Sequence, residues 1–275
     1  MICFPNAKIN LGLCITRRRP DGYHDLQTVF YPVQIRDALE VVEVGSCAVK
    51  CRLFRHGLKL DGDPQQDLTV RAYRLLDNLY DLPPVEVHLL KGIPSGAGLG
   101  GGSADAAFML LMLNELFELG LAQAELERHA ATLGADCAVF IANRPVYAEG
   151  IGNIFTPIQL SLKGYGIEIV KPPVFVSTRE AFACITPHEP TVPLLDVIQR
   201  PVSTWHEGMI NDFEASVIPQ HSVIGRIKQG LYDRGALYAA MTGSGSSVFG
   251  LFPPGKDWPE ALYAPDTFVW RGQLG

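Results

Sequence analysis

Lys91-Gly92-Ile93-Pro94-Ser95-Gly96-Ala97-Gly98-Leu99-Gly100-Gly101-Gly102-Ser103-Ala104-Asp105 places six glycines among the eleven residues 92–102. The run separates an alternating stretch, Val85, Val87 and Leu89, from an apolar stretch of helical length, Ser103 to Leu119. Glycine has no side chain, so the backbone here can approach a ligand and present its N–H groups. A helix that starts where such a loop ends adds unpaired N–H donors and the positive end of its dipole. Together these features predict a cradle for an anion, above all a phosphate. A glycine-rich turn without a ligand would cost folding entropy with no packing return.

Several phosphate loops share this outline. Gly96-x-Gly98-x-x-Gly101 fits the dinucleotide fingerprint, which also requires a second parallel strand and an acidic residue about 20 residues on. Here Ala122 to Leu133 reads as another helix instead. A Walker A loop ends in Gly-Lys-Ser/Thr, whereas this loop ends in Gly101-Gly102-Ser103. The His-Arg-Asp and Asp-Phe-Gly elements of protein kinases are absent from the sequence. A loop without its own lysine needs a cation from elsewhere. Lys8 lies on the polar side of an alternating segment, with Asn10 and Gly12, opposite Ile9, Leu11 and Leu13. It is either that cation or an ordinary edge-strand lysine. Asp136, in Gly134-Ala135-Asp136-Cys137, is either a carboxylate that takes or orients a hydroxyl proton or a helix N-cap.

The rest of the composition narrows the class. At 275 residues, 47% of them hydrophobic and 19% charged, the chain can bury a sizeable core in one large or two modest domains. A net charge of -6 argues against a broad nucleic-acid surface. Arg17-Arg18-Arg19 is the one basic cluster and reads as a solvated turn before Pro20-Asp21-Gly22. Cys3, Cys14, Cys47, Cys51, Cys137 and Cys184 form no C-x-x-C pair, and most of them, lying among apolar neighbours, read as small buried hydrophobes rather than zinc ligands. No signal-peptide pattern precedes Lys8. The apolar run Ala106 to Leu113 is far shorter than the roughly 20 residues that span a bilayer. A cytoplasmic protein without membrane or nucleic-acid partners is expected.

Periodicity predicts strands over Met1 to Ile15, Gln27 to Val33, Ala38 to Val44, Cys47 to Phe54 and Val85 to Leu89. Helical spacing covers Asp67 to Tyr80, Ser103 to Leu119 and Ala122 to Leu133, the last closed by Gly134. Val146 to Ala148 is a short strand, and Pro157 to Gly166 reads as a boundary. Beyond it come a strand over Gly166 to Val170 and helices over Arg179 to Ile185, Asn211 to Val217 and Gln220 to Arg234. Strands at Ala236 to Met241 and Ser247 to Phe252 flank Thr242-Gly243-Ser244-Gly245-Ser246, and Thr267 to Arg271 is the last strand. Runs of β and of helix without regular alternation predict an α+β fold.

Three motifs in order resemble those of the GHMP kinase superfamily: Pro5-Asn6-Ala7-Lys8-Ile9-Asn10-Leu11, Pro94 to Ala104, and Met241-Thr242-Gly243-Ser244-Gly245-Ser246-Ser247. Ala7-Lys8-Ile9-Asn10-Leu11, Arg19-Pro20-Asp21-Gly22-Tyr23-His24-Asp25-Leu26-Gln27-Thr28, Gly134-Ala135-Asp136 and Asn211-Asp212-Phe213-Glu214 resemble one branch of that family, which acts on a cytidine diphosphate-linked methylerythritol. The resemblance implies an α+β, two-lobed GHMP kinase fold. Residues 1–158 would form a ribosomal protein S5 domain 2-like N-terminal lobe, and 159–275 a ferredoxin-like C-terminal lobe. It implies an enzyme, monomeric or homodimeric, that uses ATP and Mg²⁺ on a small-molecule alcohol. Lys8 and Asp136 would be the catalytic pair. Pro94, Ser95, Gly96, Ala97, Gly98, Leu99, Gly100, Gly101, Gly102, Ser103 and Ala104 would hold the ATP phosphates, with the Ser103 hydroxyl offered to a phosphate or to Mg²⁺ and no other Mg²⁺ ligand assigned. Asn10, Tyr23, His24 and Thr178 would contact the substrate, and Phe30 and Phe182 would sandwich its cytosine, as bases favour aromatic faces. Ala104 departs from the motif, which carries a second serine there. A homoserine- or mevalonate-type kinase, or a catalytically silent nucleotide-binding sensor, shares the same outline.

Overall fold

The computed structural model describes residues 1–45 and 48–275, so Cys47, where one strand was predicted to begin, lies outside the described residues. The strands are β1 (Ile2–Cys3), β2 (Asn6–Arg18), β3 (His24–Arg36), β4 (Ala38–Glu43), β5 (Cys51–Gly57), β6 (Val85–Lys91), β7 (Val146–Glu149), β8 (Ile154–Pro157), β9 (Gly166–Lys171), β10 (Tyr238–Met241), β11 (Val248–Phe252) and β12 (Phe268–Gln273). The helices are α1 (Leu68–Tyr80), α2 (Gly101–Leu116), α3 (Gln123–Leu133), α4 (Val139–Ala142), α5 (Thr178–Phe182), α6 (Leu194–Val197), α7 (Phe213–Gln220) and α8 (Ser222–Asp233). By internal packing they form two units, each discontinuous in sequence. One holds Met1–Lys8, Ile35–Ser95 and Gly100–Arg144; the other holds Ile9–Gln34, Gly96–Leu99 and Pro145–Gly275.

In the first unit the sheet order is β1-β4-β6-β5, antiparallel except for the parallel β5–β6 pair. Leu39 and Val41 of β4 and Val85, Val87 and Leu89 of β6 are fully buried, as their alternation requires. Asp67 caps α1 by accepting the Thr69 N–H at 3.0 Å, and the helix buries Val70, Ala72, Tyr73 and Leu76. Helix α2 starts at Gly101, inside the glycine run and two residues before the predicted Ser103; it is buried on most sides through Ala106, Ala107, Met109, Leu110, Met112 and Leu113. At α3 the Ala122 N–H donates to the Glu125 carboxylate at 3.0 Å, and Gly134 closes the helix in an extended conformation, not a left-handed one.

The second unit carries two sheets, ordered β2-β3-β7-β8 and β10-β11-β9-β12. Strand β3 runs well past the predicted Gln27 to Val33, because its first residues keep backbone partners, such as Leu26 N–H to Gly150 O at 2.7 Å. The expected single strand over Met1 to Ile15 is two strands, and β2 is buried on both faces rather than on one. The short helix α6 and a 3₁₀ turn over Val202–Glu207 escape prediction, since elements this short show no period. A core of Leu13, Ile15, Val170, Phe213, Val217, Ile224, Leu231 and Val248 joins α7 and α8 to the sheets. No helix among the described residues is long and apolar enough to cross a membrane.

Strand β9 lies inside its sheet and buries one charge completely. Both oxygens of Glu168 accept from Arg234, at 2.8 and 2.9 Å; Arg271 Nε adds a contact at 2.9 Å and Trp258 Nε1 one at 2.8 Å. Burial pushes the Glu168 carboxyl up, but the hydrogen bonds from Arg234, Tyr263 and Trp258 outweigh it and leave a net lowering. A carboxyl lowered by folding adds stability above its unfolded value of about 4.3, and that stability is lost as pH falls through the folded value. We therefore expect Glu168→Gln to lose about 2 kcal/mol at pH 7. In urea unfolding across pH, the gap to the wild type should close below about pH 4; a gap independent of pH would refute the ionic account.

Candidate active site

The phosphate-loop candidate leaves β6 through Pro94 and Ser95. Gly96, Gly98 and Gly100 take φ of +58°, +73° and +73°, the left-handed region. At Gly98 the backbone comes so close to the second glycine turn that a Cβ would lie 2.0 Å from the Thr242 carbonyl oxygen. Thr242 Oγ1 donates to the Gly98 carbonyl at 3.1 Å, and the Ser247 N–H donates to that of Ala97 at 3.3 Å. Gly98 thus has a packing reason, which corrects the expectation that the glycines gain nothing from packing. Ala97 and Leu99 are buried and anchor the segment, while Ser95 and Gly96 are exposed. Asn211 shapes the second turn by donating from Nδ2 to the Met241 and Gly243 carbonyls at 2.7 and 2.8 Å.

In the first unit, left-handed Gly100 occupies the N-cap of α2 without a side-chain cap. The first-turn N–H groups of Gly101, Gly102 and Ser103 therefore have no helical carbonyl to bond, the arrangement that suits an anion. Ala104 is buried, Gly102 is exposed, and the Ser103 hydroxyl lies against the Cys137 thiol, which burial pushes up to about 11. Lys8 Nζ lies 3.2 Å from Asp136 Oδ2, with side chains 4% and 36% exposed. Asp136 occupies the turn between α3 and α4; the N-cap of α4 is Ala138, so Asp136 is not a helix cap. An ammonium buried against a half-open carboxylate can carry charge and proton where a hydroxyl reacts.

In the second unit, Asn10 is buried. Its N–H donates to Thr242 Oγ1 at 3.0 Å and its Nδ2 to Thr28 Oγ1 at 3.0 Å. His24 stacks on Phe182, ring centroids 4.6 Å apart and 23° between planes, and Phe182 meets Phe213 edge-on at 4.7 Å. Phe30 is buried and meets Phe155 edge-on at 6.5 Å. Tyr23 is 61% exposed at the turn before β3, its N–H held by Asp21 Oδ1 at 3.0 Å. Thr178 is exposed at the start of α5. Arg17 and Arg19 pair with Asp25 at 2.6 and 3.5 Å, which accounts for two of the three clustered arginines. Cys14, His188 and Asp212 gather a thiol, an imidazole and a carboxylate. However, Nε2 faces Cys14 at 4.0 Å while Nδ1 faces Asp212 at 3.8 Å, and Asp212 Oδ2 already accepts the Ile15 N–H at 2.7 Å. One ring turned to two partners ties β2 to its neighbours and does not make a ligand set.

Sequence reasoning passed over Asp37, and it assigned no role to Lys91 or Asp105 although both flank the loop. These three meet in the interior. A lysine at a strand end directly before the glycines was the available signal.

Family models for the GHMP kinases N terminal domain and the GHMP kinases C terminal match residues 67–144 and 198–263. A 4-diphosphocytidyl-2-C-methyl-D-erythritol kinase of Bacteroides thetaiotaomicron is 60% identical over 274 residues, covering 100% of both chains. One of Parabacteroides distasonis is 53% identical over the same length. A solved 4-(cytidine 5'-diphospho)-2C-methyl-D-erythritol kinase superposes with a TM-score of 0.80 at 28% identity, covering 100% of this chain and 99% of its own. The mevalonate kinase of Methanococcus jannaschii, at a TM-score of 0.65 and 12% identity, shares the fold.

The two glycine environments predict opposite outcomes for one substitution. Gly98→Ala, strained in φ and blocked by Thr242, should cost more than about 1 kcal/mol. Gly102→Ala should be neutral or stabilising by up to about 1 kcal/mol, since a Cβ there meets only Leu68 at 3.8 Å. Guanidinium unfolding of both variants decides the point; equal effects would contradict the close approach at Gly98.

Proposed function

The chain belongs to the GHMP kinase family, and we propose that it transfers the γ-phosphoryl group of ATP to the 2-hydroxyl of 4-diphosphocytidyl-2-C-methyl-D-erythritol, a step of isoprenoid precursor synthesis. Full-length identity of 60% to a relative of that name supports the substrate. The observation that carries the chemistry is the Lys8–Asp136 pair, 3.2 Å apart.

The backbone suits a nucleotide phosphate. Helix α2 begins without a side-chain cap, so its first-turn N–H groups are left to bind a phosphate oxygen. Mg²⁺, when bound, would screen the phosphate charge, and the Ser103 hydroxyl would be one group offered to it or to a phosphate oxygen. Asp136 accepts or orients the proton of the substrate hydroxyl, and the Lys8 ammonium steadies the charge that develops on the transferred group. Transfer is direct and in line, with no phosphorylated side chain, because positioning and electrostatics suffice for this reaction class. His24 offers hydrogen bonds to the edge of the cytosine, and the faces of Phe30 and Phe182 serve as its stacking partners, with Asn10, Tyr23 and Thr178 as polar contacts.

The direct test is ADP release with the cytidine substrate, homoserine and mevalonate in parallel. Turnover of the first alone is expected; turnover of another alcohol alone would reassign the enzyme within its family. Asp136→Asn and Lys8→Ala should each lower kcat by about 100- to 10,000-fold, measured below the unfolding midpoint of each variant so that the loss is not one of folding. Near-normal kcat in either variant would remove that residue from the chemistry. His24→Ala should raise the KM of the cytidine substrate about tenfold and that of ATP by less than about twofold; equal rises in both would end the cytosine-binding role.

A further inference from the structure

Three ionisable side chains that phosphoryl transfer does not use are buried at the root of the phosphate loop. Lys91 closes β6, Asp37 links β3 to β4, and Asp105 lies in α2; their side chains are 2%, 0% and 2% exposed. Lys91 Nζ donates to Asp37 Oδ2, and to Asp105 Oδ2 at 2.6 Å. The second oxygen of Asp37 accepts the backbone N–H groups of Gly92 at 2.6 Å and Ile93 at 2.8 Å, the two residues that open the loop. The Asp37 N–H in turn donates to the Pro5 carbonyl at 2.8 Å. Asp105 touches Lys91 through one oxygen only, and its Oδ1 is buried with no hydrogen-bond partner among the described residues.

Such a cluster is a poor way to gain stability. A buried ion pair is often matched or exceeded by apolar side chains of similar volume. Its net worth lies in direction, because a carboxylate held by a lysine accepts two backbone N–H groups only from one approach of the chain. Here those N–H groups belong to the residues where β6 ends and the loop turns toward the first turn of α2. The lysine also sits close to that turn: a Cβ on Gly101 would lie 3.4 Å from Lys91 Nζ.

We propose that Asp37, oriented by Lys91, is a positioning residue of the phosphate loop: its two bonds to the Gly92 and Ile93 amides set the loop before nucleotide arrives. This rests on the reading of residues 94–104 as the ATP-phosphate loop. Asp105 meets Lys91 through Oδ2 and makes no bond to the Gly92 or Ile93 amides.

The test compares Asp37→Asn with Asp105→Asn in the full-length chain. An asparagine at 37 sets an amide N–H₂ against either the loop amides or Lys91, so one arm of the arrangement is lost. An asparagine at 105 still offers Lys91 an acceptor. We expect Asp37→Asn to raise the KM of ATP about tenfold while the KM of the cytidine substrate changes by less than about twofold. Asp105→Asn should leave both KM values within about twofold of wild type. An unchanged ATP KM in Asp37→Asn, or equal rises for both substrates, overturns the inference. If Asp37→Asn does not fold, amide exchange in the nucleotide-free wild type decides. Slow exchange at Gly92 and Ile93 supports a preset loop, and slowing only after ATP is added refutes it. A wild type that binds no ATP would instead overturn the phosphate-loop reading on which the inference stands.

Discussion

A strand buried on both faces must find a partner for every polar group it carries, and β2 is such a strand. Residues Asn6 to Ile15 are all buried, polar ones included. An unpaired charge or amide there would cost several kcal/mol. Each is therefore answered by a specific group. Lys8 meets Asp136 in the first unit. In the second unit Asn10 meets Thr28 and Thr242, and the Ile15 N–H meets Asp212. The same burial that demands these partners strengthens them, since a low-dielectric setting raises the worth of each charge and hydrogen bond. The groups proposed for catalysis and for substrate contact thus follow from how one strand is enclosed.

The second constraint is backbone proximity. Gly98 and the Thr242 carbonyl come closer than any side chain would allow, and the Thr242 hydroxyl bridges the two glycine turns while also receiving the Asn10 N–H. One threonine side chain thereby links the N-terminal motif, the phosphate loop and the C-terminal motif. Asn211 holds the far side of the same turn by two carbonyls. Glycine richness here fits two ends at once: it leaves amides for the ligand proposed above, and it lets two loops touch without side chains between them. An account by ligand binding alone misses the second.

Buried ions recur in both units with different consequences. Glu168 sits among two arginines, a tyrosine and a tryptophan that satisfy both of its oxygens, and it ties β9 to the C-terminal segment. Around Lys91 the balance is one ammonium against two carboxylates. Burial pushes the Asp105 carboxyl up, whereas the two carboxylates together outweigh burial and keep the Lys91 ammonium above its ordinary value. Full satisfaction in the first cluster makes it a clamp. The open oxygen of Asp105 marks the second as an arrangement kept for geometry rather than for strength.

Much of this protein was readable along the chain. Alternation in Val85, Val87 and Leu89, the all-round apolar run that became α2, and the glycine spacing each state a local backbone requirement, and such requirements survive in any tertiary setting. The loop, the strand before it and the helix after it followed from those residues alone. Pairings did not. That Lys8 is enclosed rather than an edge-strand lysine, and that Asp136 faces it rather than capping α4, depends on residues far apart in sequence. Asp37 carried no signal at all, since a lone aspartate between two strands reads as a turn. Phe182 read as one more apolar aromatic, yet its ring stacks on His24 and meets Phe213 edge-on. Sequence determined where the backbone bends and which faces are apolar, because those are properties of neighbours along the chain. Which polar groups meet inside was decided by the tertiary structure, because burial obliges each to take whatever partner the packing brings within hydrogen-bond reach.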